Sequence, residues 1–260
     1  MKILFIGDIV GQPGRKALKE GLSTIAEKIK LDFVIANAEN AAGGFGITRE
    51  IGEEIFLMGV DVLTSGNHIW DKKEAVTYIT KESRLLRPAN YPDGVPGHGS
   101  IVMKTANAVS VAVLNISGRV FMSQMDCPFQ IAKREIARLK AETNIIIVDF
   151  HAEATSEKAA FGRYFDGEVT AIIGTHTHVQ TADEMIMPQG TAFITDVGMT
   201  GPTDSIIGIK KEQIIGKFLT QIPVRFETAK GPSILSAVVV DIDPKTGSAS
   251  KIQRLQLNFS

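Results

Sequence analysis

The first half of the chain alternates short apolar segments with segments whose apolar residues recur at helical spacing. This alternation predicts βαβ units, because a buried strand is a short apolar run and an amphipathic helix repeats every 3.6 residues. Such units form a parallel sheet with right-handed crossovers, and the chain therefore belongs to the α/β class. The predicted strands cover 3–6, 33–36 and 61–65, and the predicted helices cover 15–30, 51–58 and 73–80, with a turn at 11–14.

In the middle of the chain the alternation of strands and helices stops at a segment rich in proline and glycine, at 87–99. Two strands then follow at 100–103 and 110–115, and the short loop between them predicts an antiparallel pair. Two long strands flank a turn at Asp243–Gly247, which predicts a hairpin. The remaining predicted elements are a helix over 129–142, strands at 145–150, 169–173 and 192–195, and the hairpin strands at 234–241 and 251–258. We expect one domain spanning 1–260.

The amino-acid composition limits the classes of function that this chain can have. The 260 residues include 44% hydrophobic and 22% charged residues, which is typical of a globular protein with a sizeable core. A net charge of -1 gives no overall attraction to nucleic acid or to an anionic membrane, although it leaves a local basic patch open. Cys127 is the only cysteine, which excludes an intrachain disulfide and a thiolate metal cluster. The N-terminal apolar run is too short for a signal peptide, so we expect a cytoplasmic protein without a membrane partner.

Polar side chains follow several of the predicted strands. The carboxyl ends of parallel strands meet at one edge of a sheet, so these side chains are expected to lie close together. Carboxylate, carboxamide and imidazole groups without sulfur favour Mn, Fe, Zn or Ni. Seven ligands exceed the need of one ion and suit two ions about 3.5 to 4 Å apart, a recurrent arrangement for displacement at phosphorus. The candidate ligands are Asp8, Glu39, Asn40, Asn67, His151, His176 and His178, with Glu39 as the candidate bridge.

Each of these motifs also has an ordinary structural interpretation. Gly66-Asn67-His68 alone is typical of a turn, and Asp8 or Asn40 alone is typical of a helix cap. His176 and His178 alone could alternate along a strand with both rings on one face. The occurrence of all these motifs at five strand ends favours a metal site.

The order of these motifs resembles that of the calcineurin-like metallophosphoesterases, and more closely their YmdB-like branch of bacterial cyclic-nucleotide phosphodiesterases. The resemblance implies a four-layer sandwich, in which two mixed β-sheets are flanked by α-helices. It also implies hydrolysis of cyclic nucleotides, 2′,3′-cyclic ones first and 3′,5′-cyclic ones as a further option. It implies two metal ions as well, Fe or Mn first and Zn as a further option. The matching blocks cover 7–11, 37–44, 66–71, 151–158 and 174–180.

Two departures from the wider superfamily agree with the YmdB-like branch. Most members carry Asp-x-His after the first strand, where this chain has Asp8-Ile9-Val10, and Asn40 could supply the missing ligand. Most members also bridge the ions with Asp, where this chain has Glu39. The resemblance implies one ion held by Asp8, Glu39, Asn40 and His178, and a second held by Glu39, Asn67, His151 and His176.

The expected mechanism is in-line attack on phosphorus by a hydroxide that bridges the two ions. His68 is adjacent to the ligand Asn67 and is not itself assigned to a metal, so we expect it to protonate the leaving alkoxide as a general acid. Acceptors that orient the ligand rings are also expected. The candidates are Asp149, Glu153, Glu157 and Asp196.

Three alternatives remain open at this stage. A phosphomonoesterase could use the same metal centre, and a regulatory or RNA-binding protein could carry the metals with little turnover. A barrel amidohydrolase also uses His-x-His, but normally on its first strand, whereas the pair here comes late in the chain. An RNA-related substrate and a homo-oligomer are both compatible with the sequence.

Overall fold

A computed structural model describes residues 1–260. Its helices are α1 (Gly11–Ala26), α2 (Arg49–Leu57), α3 (Lys73–Ile79), α4 (Pro128–Leu139), α5 (Thr155–Tyr164) and α6 (Lys211–Thr220). Its strands are β1 (Lys2–Ile6), β2 (Asp8–Ile9), β3 (Phe33–Asn37), β4 (Val62–Thr64), β5 (Ser100–Lys104), β6 (Ser110–Ser117), β7 (Ile146–His151), β8 (Ala171–Thr175), β9 (Met185–Ile186), β10 (Ala192–Ile194), β11 (Met199–Pro202), β12 (Ser233–Ile242) and β13 (Ala249–Phe259). None of the helices combines the length and apolar character needed to cross a bilayer.

The strands form two mixed sheets. In the first sheet the order is β2-β11-β12-β1-β3-β4. Strands β11 and β1 pair with successive parts of β12, and β13 pairs with β12 along its whole length. Strands β1, β3 and β4 are parallel, whereas β12 runs antiparallel to β1 and forms the predicted hairpin with β13. In the second sheet the order is β5-β6-β7-β8-β10-β9, with β6, β7, β8 and β10 parallel and the predicted antiparallel pair β5–β6 at one edge.

Three apolar cores hold the layers together. The central core joins the inner faces of the two sheets, with Phe5 from the first and Val113 and Ile147 from the second. A second core packs α1, α2 and α3 on the outer face of the first sheet, and a third packs α4 and α5 on the outer face of the second. Burial of these faces is the main stabilising contribution, at about 25 cal/mol per Å² of apolar surface. The expected four-layer arrangement of two mixed sheets flanked by helices is confirmed.

The predicted turn at 11–14 is wrong, because α1 already begins at Gly11. Gly11 has a left-handed φ of 59° where the chain enters the helix, whereas Gly14 serves close packing. A Cβ atom on Gly14 would lie 2.3 Å from the carbonyl oxygen of Thr200, which belongs to β11. The glycine therefore allows the first turn of α1 to pack directly against the neighbouring backbone.

Helix α5 was not predicted, and its composition explains why. Its buried residues include Glu157 and Lys158 together with Phe161 and Gly162. Because charged residues occupy the inward face, the sequence lacks the apolar periodicity by which an amphipathic helix is recognised. The short strands β2, β9 and β11 and the helix α6 were likewise absent from the sequence prediction.

Candidate active site

The predicted site residues lie together at one edge of the two sheets. The first sheet supplies Asp8 in β2, Glu39 and Asn40 after β3, and Asn67 after β4. The second sheet supplies its residues from the ends of β7 and β8. These are His151, which is the last residue of β7, and His176 and His178, which follow β8.

A tight group of ligand atoms surrounds the Nε2 atom of His151. Asn67 Oδ1 and His176 Nδ1 each lie 3.0 Å from this nitrogen, and Glu39 Oε1 lies 3.1 Å from it. The His151 and Glu39 side chains are buried. Glu39, His151 and His176 thus form a compact set of potential metal ligands.

Hydrogen bonds on the outer side of each ring fix which nitrogen faces this group. The Thr175 hydroxyl lies 2.9 Å from His151 Nδ1 and donates its only proton to Asp149 Oδ1 at 2.7 Å. His151 Nδ1 must therefore be the donor to Thr175, and the neutral ring presents an Nε2 lone pair to the site. Glu153 Oε2 lies 3.1 Å from His176 Nε2 and orients that ring with Nδ1 inward.

This geometry suits a cation. The His176 Nδ1 and Asn67 Oδ1 atoms both present lone pairs to His151 Nε2, and Glu39 adds a carboxylate oxygen. One proton on His151 could satisfy only one of these acceptors, whereas a metal ion accepts electron pairs from all of them. The nitrogen and oxygen donors fit Fe, Mn or Zn.

A second group is formed by Asp8, Asn40 and His178. Asp8 is fully buried, its Oδ1 atom has no hydrogen-bond partner, and burial raises its pKa. His178 Nε2 lies 3.7 Å from Asp8 Oδ1 and 3.3 Å from the Asn40 carboxamide, while His178 Nδ1 donates to the carbonyl of Ile207 at 2.8 Å. A buried carboxylate oxygen without a hydrogen bond lowers the stability of the folded protein, and a cation bound to it would remove that penalty.

The charge balance of the first group depends on attraction between Glu39 and His151. Burial by itself raises the pKa of Glu39, but attraction to His151 outweighs it and brings the pKa to about 2. Burial likewise lowers the pKa of His151, but the Glu39 carboxylate outweighs it and brings the pKa to about 9. Burial, and then repulsion from His151, lowers the pKa of His176 to about 3. Without metal, a proton on His151 therefore neutralises Glu39.

Metal uptake by the metal-free protein is expected to release a proton. The pKa of His151 is about 9 in the absence of metal, so at about pH 7.5 its ring is charged and must lose a proton before it can bind an ion. Metal affinity should therefore rise with pH and level off above about pH 9. Calorimetry of metal binding in buffers of different ionisation enthalpy measures the proton count. Uptake near neutral pH without proton release would contradict the Glu39–His151 ion pair.

The loop after β8 carries the candidate ligands His176 and His178 in an unusual backbone conformation. The φ angles are 99° at His176 and 66° at His178, and left-handed values are uncommon for residues with a side chain. Strand alternation is thus not what brings the two rings to the site. Asp196 stabilises the loop, because its Oδ2 atom accepts the Thr177 N–H at 3.0 Å and pairs with buried Lys158 at 2.7 Å.

A glycine allows the Asn67 turn to approach His151. A Cβ atom on Gly66 would lie 2.1 Å from His151 Nε2, which is far inside van der Waals contact. Any larger residue would displace either the ring or the turn. The glycine is therefore required for the Asn67 turn to lie this close to the His151 ring.

His68 lies at the cavity that opens onto the ligands. Its backbone N–H donates to Glu39 Oε2 at 2.9 Å, and its ring Nδ1 lies 2.8 Å from Asp71 Oδ2. Its Nε2 atom has no hydrogen-bond partner within the chain. The cavity has a volume of about 260 Å³ and is also lined by Glu39, His176 and Phe45, whose ring lies edge-on to His68 at 5.2 Å.

Some residues at the site were not predicted. The sequence pattern predicts no role for Asp71, Phe45 or Thr175. Asp71 nevertheless lies three residues after His68 in the same turn, a spacing that brings side chains together. Of the four candidate orienting acids, Asp149 and Glu153 contact ligand histidines directly or through Thr175. Asp196 acts on the backbone of the loop, and Glu157 accepts hydrogen bonds from another loop, at Arg119 and Val120.

The two-sheet sandwich and the ligand set at its edge define a protein of the metallophosphoesterase class. A sequence model described as YmdB-like protein matches residues 4–255. The chain belongs to this YmdB-like family.

Individual relatives agree with this assignment. The chain is 52% identical over 258 residues to a 2′,3′-cyclic-nucleotide 2′-phosphodiesterase of Bacillus subtilis (strain 168), covering 99% of this chain and 97% of the relative. The crystal structure of a hypothetical protein from Thermus thermophilus superposes with a TM-score of 0.92 at 39% identity, covering 99% of both chains. That of a novel phosphatase from Mycoplasma pneumoniae gives a TM-score of 0.92 at 37% identity, covering 99% of this chain and 93% of the other.

Proposed function

We propose that this protein is a metal-dependent phosphodiesterase that hydrolyses 2′,3′-cyclic nucleotides. The observation that carries the proposal is the convergence of Glu39, His151 and His176 beside a cavity that also exposes His68. The name of the Bacillus subtilis relative, a 2′,3′-cyclic-nucleotide 2′-phosphodiesterase, supports this choice of substrate. In this proposal residues 1–260 act as a single domain.

The proposed centre holds two ions, iron or manganese first and zinc as a further option. Asp8, Asn40 and His178 would hold one ion, with Asn40 turning its carboxamide oxygen inward. Asn67, His151 and His176 would hold the other, and Glu39 would contribute to both. When bound, such ions neutralise the charge on the phosphate oxygens and lower the pKa of a coordinated water. The separation of the ligands into two groups, with an unpartnered Asp8 oxygen in one of them, supports two positions.

His68 is the proposed proton donor. An alkoxide is a poor leaving group unless it is protonated as the bond to phosphorus breaks. The Asp71 carboxylate accepts the proton on His68 Nδ1, so the proton that passes to the leaving group would be the one on Nε2 of the doubly protonated ring. The Glu39 carboxylate fixes the backbone of the same residue through the His68 N–H. His68 is therefore anchored at both its backbone and its ring.

A substrate panel tests the proposal. The purified protein would be loaded separately with Mn, Fe or Zn and assayed on 2′,3′-cyclic nucleotides, 3′,5′-cyclic nucleotides and a phosphomonoester, with chelator-treated protein as the control. We expect metal-dependent turnover that is fastest on the 2′,3′-cyclic esters. Preference for the phosphomonoester would instead indicate a phosphatase. No metal-dependent turnover on any ester, in protein shown to hold metal, would overturn the proposal in favour of a regulatory role.

A further inference from the structure

The lining of the cavity at the candidate ligands combines polar and apolar residues. The polar ones are candidate metal ligands and the groups beside them, and they suit the binding of a phosphate. The apolar ones, which we call the apolar wall, are Val10, Phe45, Ile207 and Ile209. A charged phosphate gains nothing from apolar side chains, so the apolar wall indicates that another part of the ligand binds beside it.

The apolar wall is continuous, because the segments that form it contact one another. A Cβ atom on Gly44 would lie 3.5 Å from Ile209 Cδ1, so the loop that carries Phe45 touches the segment of Ile209. A Cβ atom on Gly208 would lie 2.6 Å from Val10 Cγ1, so the same segment lies directly on Val10. Val10 and Ile209 are buried, so they form the base of the wall and leave its other two residues accessible to a ligand.

Phe45 is presented to the cavity by a loop that contains several glycines. Its neighbours Gly44 and Gly46 have φ angles of 95° and 74°, which residues with a side chain rarely adopt. The Gly46 carbonyl accepts the Ala42 N–H at 3.0 Å, and a Cβ atom on Gly46 would lie 2.8 Å from Lys72 Cγ. The loop is therefore held tightly, yet its one aromatic side chain packs in none of the three apolar cores.

Ile207 occupies a strained position at the tip of a turn. The backbones of Ile206 and Ile209 exchange two hydrogen bonds, at 2.9 and 3.0 Å, and enclose Ile207 and Gly208. The two enclosed residues have φ angles of 47° and 98°, which indicates a type I′ turn, whose first central position normally carries Asn, Asp or Gly. A β-branched residue is strained there. Ile207 is 49% exposed and also packs in none of the three cores, so core packing does not explain an isoleucine at this position.

His68 connects the apolar wall to the expected position of the substrate. The Phe45 and His68 rings have their centroids 5.2 Å apart and are inclined by 69°, so His68 does not stack on Phe45. In the proposed mechanism His68 protonates the oxygen that leaves phosphorus, and this oxygen belongs to the ribose. The ribose must therefore lie beside His68, and the base attached to it is then within reach of the wall.

We propose that the apolar wall is the nucleoside-binding part of the site, with the base stacked on Phe45 and packed against Ile207. An aromatic ring stacks on every base because each base has a π-face, so the wall would favour esters that carry a base without selecting one base. The strain at Ile207 agrees with this role, since strained backbone clusters at ligand-binding positions. The inference rests on the proposed phosphodiesterase function and adds the residues that recognise the nucleoside.

The test compares an ester that carries a base with one that does not. Steady-state kinetics would be measured on 2′,3′-cyclic AMP and on methyl riboside 2,3-cyclic phosphate, which keeps the ribose and lacks the base. Phe45→Ala should raise KM for the nucleotide by roughly 5- to 20-fold and leave KM for the base-less ester unchanged. Any change in kcat that follows from the lost contact with His68 should be equal on both esters.

Two further variants complete this comparison. Phe45→Tyr keeps the aromatic ring and should restore the nucleotide KM. Phe218→Ala is the matched control, since Phe218 is an aromatic residue of α6 that is 75% exposed and lies outside the cavity. It should leave both esters unaffected.

Ile207→Asn tests the second contact through two opposite effects. Asn relieves the strain of the turn, so the melting temperature should rise by about 2 to 4 °C. Loss of the apolar contact should at the same time raise KM for 2′,3′-cyclic AMP by roughly 3- to 10-fold and leave the base-less ester unchanged. A merely structural residue would show the first effect without the second, and that result would remove Ile207 from the proposed nucleoside site.

Two results would overturn the nucleoside site while leaving the proposed function intact. One is an unchanged nucleotide KM in Phe45→Ala, and the other is an equal rise in KM on both esters, which would show that Phe45 does not act on the base. If the wild-type protein hydrolyses neither ester, the proposed function fails separately. Equilibrium dialysis of the manganese-loaded protein with adenosine 3′-monophosphate and ribose 3-phosphate then decides the nucleoside site. The wild type must bind the adenosine compound more tightly, and Phe45→Ala must lose that preference.

Discussion

His68→Ala is expected to keep its metal content and lose about 10²- to 10⁴-fold in kcat on esters with a poor leaving group. The residue contacts Glu39 only through its backbone N–H, which alanine retains. The substitution removes the ring whose Nδ1 is held by Asp71, and with it the proposed proton donor. An activated aryl ester needs little protonation of its leaving group, so its turnover should fall much less.

The kinetic contrast should be measured beside metal content in the same samples. His98→Ala is a suitable control, because His98 is an exposed histidine outside the cavity. Full activity of His68→Ala on an alkyl ester would eliminate His68 as the general acid. An equal loss on alkyl and aryl esters would point instead to a role in binding or in metal retention.

Glu39→Gln is expected to lose both metal and turnover. The change keeps the shape of the side chain but removes the charge that attracts His151 and the proposed ions. Loss of a residue that only orients a ligand already costs about 10- to 100-fold in metal affinity, so loss of a shared ligand should cost at least that much. Elemental analysis after dialysis against a weak chelator, together with kcat on 2′,3′-cyclic AMP, measures both effects.

Glu53→Gln provides the comparison for Glu39→Gln. Glu53 forms an exposed ion pair with Arg49 on α2, and exposed pairs of this kind contribute little to stability. Its removal should leave metal content and turnover unchanged. A Glu39→Gln protein that retained both ions and reduced only kcat would show that Glu39 does not hold the metals.

The predictable parts of the fold are the segments whose residues are apolar in the sequence and buried in the structure. Strands β1 and β7 carry unbroken apolar runs at 3–6 and 146–148 because both faces of each sheet are covered, and site residues lie at or just after the ends of such strands, where the topology brings them together. Helix α5 was missed because its inward face carries Glu157 and Lys158.

The detailed chemistry of the site depends on contacts between distant segments. Thr175, 24 residues from His151 in sequence, determines which ring nitrogen of that histidine faces the ligands. Asp196, which is paired with Lys158, accepts the N–H of Thr177 between the two left-handed histidines of the loop. Neither contact leaves a local pattern in the sequence. The turn that pairs His68 with Asp71 is local, and its three-residue spacing was available as a signal.

The origin of the ligands in both sheets has a consequence for the stability of the whole molecule. The candidate ligands Glu39 and Asn67 follow strands of one sheet, and the candidates His151 and His176 lie at strand ends of the other, so an ion bound among them would be a crosslink between the two layers. At a free metal concentration about 1,000 times the dissociation constant, binding adds about 4 kcal/mol to the free energy of unfolding. That increment is lost if either layer opens alone. Metal loading should therefore make the two halves of the sandwich melt together, at a temperature that rises with the supply of metal.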